Sequence, residues 1–194
     1  MEPLVSLFST IILSLSLNVA AKTVADVEIS PSITFGDKTL LVQGAGVRSK
    51  FFIDLYVASF FSEDDIKSKE GIDTASQEII KGKKISAIRL NIVSGLITSE
   101  KMLASIEQSF DVATHGDTTA IDVYIAEFTA VFEQAITKQD QFTFISEPGV
   151  GVHVLKNNQP LSSITNDAFR QALLSIWLGT NSVDDDLKSD MLAR

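Results

Sequence analysis

Gln43-Gly44-Ala45-Gly46-Val47-Arg48-Ser49-Lys50-Phe51-Phe52-Ile53-Asp54-Leu55-Tyr56-Val57-Ala58-Ser59-Phe60-Phe61 is the stretch on which the reading of the fold turns. It opens on two glycines one residue apart and leads to a single arginine. From Phe51 to Phe61 aromatic and β-branched side chains dominate, and such a run reads as a strand. Apolar residues there fall on both parities, so neither face of the strand is fully solvated. Gly44 and Gly46 mark places where the backbone takes positive φ or where another segment comes close. Arg48, Asp54 and Tyr56 are then polar groups in or beside a buried surface, and a charge in such a place needs a partner or a ligand. Arg48 and Tyr56 stand about 26 Å apart along an unbroken strand. They can share one ligand only if the chain reverses between them, near Ser49-Lys50 or just before.

Outward from this stretch, the N-terminal end is a different material. Leu4 to Leu17 is apolar and hydroxylic, followed by Asn18-Val19-Ala20-Ala21 and Thr23-Val24-Ala25. This has the form of a secretory signal over residues 1–25, with small residues at cleavage positions after Ala21 or Ala25. Glu2 stands where a signal usually carries Lys or Arg, and an N-terminal anchor or a buried first helix is the other reading. The run is short of the roughly 20 residues of a membrane span. Residues 26–194 are then one domain, with no stable membrane span once the leader is gone, in a periplasmic or secreted setting.

The 194 residues suffice for a real core, and 45% hydrophobic with 21% charged residues is a globular composition. The formal charge of −9 offers no electrostatic footprint for nucleic acid or for anionic membrane surfaces. Without cysteine there is no disulfide, thiolate metal site or cysteine nucleophile.

Ile29 to Val42 reads as two short strands around Gly36-Asp37. Short surface helices are expected at 64–68 and 73–80, and a strand from Lys84 to Val93. Thr98 is a good N-cap for a helix carrying Lys101 and burying Met102, Leu103, Ile106 and Phe110. A second long helix is expected from about Thr118 to Thr137, with Ile121, Ile125, Phe128, Phe132 and Ile136 as its stripe. Strands 141–145 and 150–155 flank Glu147-Pro148-Gly149 as a hairpin, and Asn157-Asn158-Gln159-Pro160 is a further turn. A third helix runs from about Asn166 to Leu178 and stops at Gly179. Ser182-Val183-Asp184-Asp185 has the look of a capping box that opens a last helix. Without repeat or linker, the chain reads as one α+β domain.

Few residues have the setting for chemistry. His115 and His153 lack ligand neighbours at metal spacing, so neither is read as a ligand. There is no phosphate-binding loop and no nucleophile elbow. Asp184-Asp185-Asp186 is read as serving a helix dipole rather than a cation, and Trp177 as core. Arg48, Tyr56 and Lys101 remain. For Arg48 the plain alternative is an arginine satisfied by backbone carbonyls or by Asp54.

Gly44-Ala45-Gly46-Val47-Arg48 with its aromatic strand resembles the chalcone isomerase family. So do Gly95-Leu96-Ile97-Thr98-Ser99-Glu100-Lys101 and the C-terminal series Ser175-Ile176-Trp177-Leu178-Gly179 through Val183 to Leu187-Lys188. Order and spacing agree over about residues 30–194. The export signal and the Trp-Leu-Gly helix ending resemble most the bacterial, exported branch. The resemblance implies an open-faced β-sandwich: a large antiparallel sheet covered on one face by helices, with a pocket between the two layers. On the residues present, no cofactor and no metal are expected. In the plant enzymes an arginine holds the reacting phenolate, a threonine and a tyrosine polarise the ketone through water, and a lysine supports them. A second branch keeps the arginine with a tyrosine and binds fatty acids without catalysis.

Carried over, the arginine is Arg48 and the lysine Lys101. The strand threonine falls at Tyr56, the helix tyrosine at Thr98, a following asparagine at Ser105 and a substrate-selecting hydroxyl at or beside Ile176. Most of the ketone-side polar set is thus absent, and with it the groups that would stabilise developing enolate charge. Arg48 beside a tyrosine suits an anion: a guanidinium grips a carboxylate at two points and a phenol adds a third bond. The expectation is a binding protein for a small amphipathic anion such as a fatty acid, held by Arg48, Tyr56, Lys101 and Thr98. The alternative is an intramolecular lyase or isomerase with Arg48 and Lys101 as catalytic residues on a non-plant substrate. The third reading leaves Arg48 as a core tether in an interaction protein.

Overall fold

Tight turns decide how the sheet is laid down. The computed structural model describes residues 22–66 and 71–193. The leader up to residue 21 and part of the helix expected at 64–68 lie outside the described residues. β1 (Lys22–Val24) and β2 (Val27–Ile29) form a two-stranded ladder of their own, so the last residues of the 1–25 segment are paired with the domain's first strand. Then come β3 (Ser32–Phe35), β4 (Lys38–Lys50), β5 (Ile53–Ser62), α1 (Ile72–Lys81), β6 (Ser86–Ile92), α2 (Ser99–Ala113) and α3 (Asp122–Ala130). The chain ends with β7 (Gln141–Glu147), β8 (Gly151–Lys156), β9 (Gln159–Ile164), α4 (Asp167–Leu178) and α5 (Asp185–Met191).

β3 to β9 make one seven-stranded antiparallel sheet in sequence order. Gly36, with φ of 58°, turns β3 into β4, as the Gly-Asp dipeptide predicts. The strand expected from Phe51 is shorter than that. Phe51 and Phe52 form the turn itself, and β4 runs through the glycine segment to Lys50. The chain therefore reverses slightly later than expected. β9, not foreseen, is an edge strand that accommodates Pro160 because the sheet edge demands no N–H there.

One sheet face carries the main core. Ala58, Phe60, Ile88, Leu90, Phe142, Phe144 and Val154 pack there against Ile106, Phe110, Phe128, Phe169, Leu173 and Trp177 of the helices. Packing of this kind dominates the stability, at about 25 cal/mol per Å² of apolar surface removed from water. The opposite face curls on itself around Ile33, Leu40, Phe61, Ala87 and Ile145. The curl is strong enough to bring Phe35 of β3 against His153 of β8, ring centroids 4.8 Å apart.

The helices follow their caps. Thr98 accepts from the Lys101 N–H, Asn166 from Phe169 and Asp184 from Leu187. The second long helix is the exception: α3 ends at Ala130 rather than near Thr137. Beyond it Val131, Phe132 and Glu133 bond three residues back instead of four, so the helix tightens and stops. Phe132 and Ile136 are buried all the same, because apolar spacing reports burial and not the backbone that achieves it. Among the described residues no helix is long and apolar enough to cross a membrane.

Candidate functional site

Gly44, Gly46 and Arg48 alternate along β4 and so share one sheet face. Their partners Phe60, Ala58 and Tyr56 on β5 lie on that face too. At the first two positions α5 lies directly on the strand. A Cβ on Gly44 would stand 2.1 Å from the Asp190 carbonyl oxygen, and one on Gly46 would stand 2.5 Å from the Asp190 Cβ. Neither glycine has positive φ, so close approach, not conformational freedom, is what they supply. With α5 held down, its N-cap Asp184 meets Arg48, Nη1 to Oδ2, at 2.9 Å. The same nitrogen donates to the Ser49 carbonyl at 2.7 Å.

The reversal at Phe51-Phe52 sets Arg48 directly opposite Tyr56. Immediately beyond, the register shifts and Leu55 becomes an extra residue on β5, a bulge that also turns it toward the site. Arg48, Leu55 and Tyr56 line a cavity of about 370 Å³ between sheet and helices. Its walls are Leu90 and Phe144 of the sheet, Met102, Ile106 and Ser105 of α2, Phe128 of α3, and Leu173, Ile176 and Trp177 of α4. Trp177 stacks on Phe144 and donates its Nε1–H to the Tyr56 hydroxyl at 3.2 Å. That bond occupies the oxygen as acceptor and leaves the phenolic proton available to a ligand. Burial raises the Tyr56 pKa above its ordinary value, so the hydroxyl stays protonated. Arg48 is 23% exposed, and its Nε and Nη2 have no partner among the described residues.

This geometry can hold a ligand with an apolar body and a hydrogen-bonding head. The head would meet one protonated phenol and a guanidinium already half-committed to a carboxylate. A wider hollow of about 800 Å³ beside α1 has charged walls, including Asp73, Lys83 and Lys84, and lacks this convergence.

A sequence profile of the chalcone isomerase-like family matches residues 21–193. The chain belongs to the chalcone isomerase-like family. No curated protein matches it by sequence. Among solved structures, a fatty-acid binding protein of Arabidopsis thaliana superposes with a TM-score of 0.68 at 19% identity, covering 87% of this chain and 92% of that one. At that identity the likeness speaks for the fold. This chalcone isomerase-like protein has the antiparallel sheet and the covering helices that the resemblance implies.

The expected site residues separate into two groups. Arg48 and Tyr56 come together at the cavity. Lys101 and Thr98 do not: Thr98 is spent as the α2 cap, and the exposed Lys101 amine donates to the Leu96 carbonyl at 3.2 Å. They sit on the first turn of α2, while Met102, Ser105 and Ile106 face the cavity. Two residues of the site were read otherwise. Trp177 is core, as expected, and is also the partner of Tyr56. Asp184, expected to serve the dipole of the last helix within a capping box opened by Ser182, is itself the N-cap of α5 and also pairs with Arg48. Nothing local in the sequence distinguishes these double roles. The core-tether reading gave Arg48 backbone carbonyls or Asp54 as partners; the Ser49 carbonyl does accept from it, whereas Asp54 accepts from the Ser49 hydroxyl and the carboxylate at Arg48 is Asp184.

Proposed function

We propose that this chalcone isomerase-like protein binds a small amphipathic anion, with a fatty acid as the leading candidate. The observation that carries the reading is the pairing of Arg48 and Tyr56 across β4 and β5 at a cavity whose inner walls are mainly apolar, with Lys50, Ser105, Gln108, Ser109 and Ser182 as its other polar lining. The free guanidinium nitrogens and the phenolic proton supply a carboxylate's hydrogen bonds, and the Phe, Leu, Ile and Trp walls receive the chain. Each buried methylene contributes about 0.8 kcal/mol. A cavity of 370 Å³ lies near the small end of the usual range of about 300–1,000 Å³ for ligand sites, which favours a medium over a long chain. The fatty-acid binding role of the Arabidopsis structure agrees with this choice. Export to a periplasmic or extracellular space, in the bacterial branch, is part of the same proposal and rests on the N-terminal sequence.

The lyase reading loses support from the position of Lys101, which reaches neither the cavity nor Arg48's partners. Titration calorimetry with medium-chain fatty acids tests the binding reading. Arg48→Ala is expected to weaken binding about tenfold or more, the worth of a charge-assisted hydrogen bond. Equal affinities for variant and wild type would remove the head-group assignment.

A further inference from the structure

The turn between β4 and β5 carries residues that its shape disfavours. Phe51 and Phe52 have φ of 51° and 64°, and Lys50 pairs with Ile53 across them. Positive φ at both central positions is the mark of a type I′ hairpin, whose preferred residues are Asn, Asp and Gly. A bulky aromatic there is an outlier. The protein uses the ordinary solution at its β8–β9 turn, where Asn157 and Asn158 have φ of 52° and 63°. Nor do the two rings gain burial from the fold: Phe51 is 83% and Phe52 105% exposed, and Ile53 extends the patch at 42%. Conformational preference and the hydrophobic effect therefore both oppose these residues in the free protein. An environment that buries both rings removes the cost of their exposure and offsets that of the turn.

We infer that the β4–β5 tip inserts Phe51 and Phe52 into the headgroup–acyl boundary of a phospholipid bilayer and holds the cavity mouth at that surface. The patch is the end of a single hairpin rather than a face or groove, a shape that suits insertion. Aromatic rings favour the headgroup level of a bilayer. The Lys50 amine, 5.8 Å over the Phe51 ring, is placed to meet lipid phosphate beside it. Asp54, the acidic group at the tip, is engaged by the Ser49 hydroxyl at 2.7 Å. Lys50 also lines the cavity with Arg48, so the tip adjoins the opening through which an amphipathic ligand would pass. A formal charge of −9 opposes adsorption by charge, so the rings carry the contact and uncharged-surface lipid suffices. The purpose given to the contact rests on the fatty-acid reading; the contact itself does not.

The chain has no cysteine, so one introduced thiol reports from one place. An environment-sensitive fluorophore on Ile53→Cys marks the tip. The same probe on Val150→Cys marks an exposed turn at the opposite end of the strands. With phosphatidylcholine vesicles the tip label is expected to shift to the blue and to be quenched by nitroxide-bearing lipid, while the Val150 label does neither. Adding Phe51→Asn and Phe52→Gly to the tip-labelled chain should reduce vesicle partitioning by at least about tenfold. Its urea midpoint should hold or rise, because Asn-Gly suits the turn. Equal partitioning with and without the rings overturns the inference. So does a tip label that stays in water, or a shift that follows protein concentration without vesicles, which would give the patch to a second copy. Vesicle contact without fatty-acid binding would instead sustain the inference and defeat the ligand reading.

Discussion

Arg48 shows how one side chain can satisfy two readings at once. It is tethered, through Nη1, to Asp184 and to the Ser49 carbonyl, yet it still lines a cavity, and its other two nitrogens have no partner among the described residues. The tether has a consequence for affinity. A carboxylate bound as proposed would add its charge to a pair that is already near neutral, and Asp184 would compete with it. Asp184→Asn removes the competitor and keeps the cap, since Asn serves as well as Asp at that position. Fatty-acid affinity is therefore expected to rise on the order of fivefold, while stability falls by about 0–1 kcal/mol for a partly exposed ion pair. Titration of the variant beside wild type measures the first and urea unfolding the second. A weaker or unchanged affinity would mean that the ligand is not an anion at Arg48. Asp184 and Trp177 could not have been assigned to the site from sequence, because an N-cap acid and a buried indole look the same whether or not a neighbour uses them.

At the scale of elements, the glycine pair in β4 and the helix α5 form one device. The pair allows α5 to lie on the strand, and the length of α5 then delivers Asp184 two residues beyond Gly46, at Arg48. Gly44 admits no relief, because its Cβ would meet backbone at 2.1 Å, whereas Gly46 faces the side chain of Asp190. Gly44→Ala should lower unfolding stability by about 1–3 kcal/mol, the range for overpacking. It should also lift α5 and loosen the Arg48–Asp184 pair. Urea denaturation reads the loss, and a change within error would show that α5 is not seated as described. The same hairpin shows why the residues from Phe51 read as strand and yet begin with a turn. Aromatic residues carry strand propensity, but here they occupy turn positions that propensity reserves for Asn and Gly, and composition alone cannot separate the two.

Across the whole molecule, two buried cations bind the layers together. Arg170, 1% exposed, links α4 to the sheet at the Ser146 hydroxyl and to the end of α1 at the Ile80 carbonyl, and it takes Asp167 as its counter-ion at 2.6 Å. Lys188 of α5 joins Asp73 of α1 to the Gly179 carbonyl that ends α4. Arg170 beside Asp167 holds that carboxyl down from 3.8 to about 2, with help from the Gly149 N–H and Gln171. A depressed folded-state pKa means stability that is complete above the ordinary value and is lost as pH falls through the folded one. The Asp167 contribution is thus complete above about pH 4 and is lost as pH falls through about 2. Asp167→Asn should be less stable than wild type near neutrality, with the gap closing toward pH 2. Urea midpoints across that range test it, and a gap independent of pH would sever the link. By itself the sequence determined the α+β class, the helix cap at Thr98, the Gly36 turn and the stop of α4 at Gly179. Those features rest on local spacing and on backbone preferences that neighbours in the chain impose. Only the tertiary structure decided that Tyr56 faces Arg48, that Asp184 tethers it, that Lys101 stays outside and that Arg170 is buried. Each of those depends on register and on which elements lie across from one another, and contacts between segments far apart in sequence leave no mark in either segment alone.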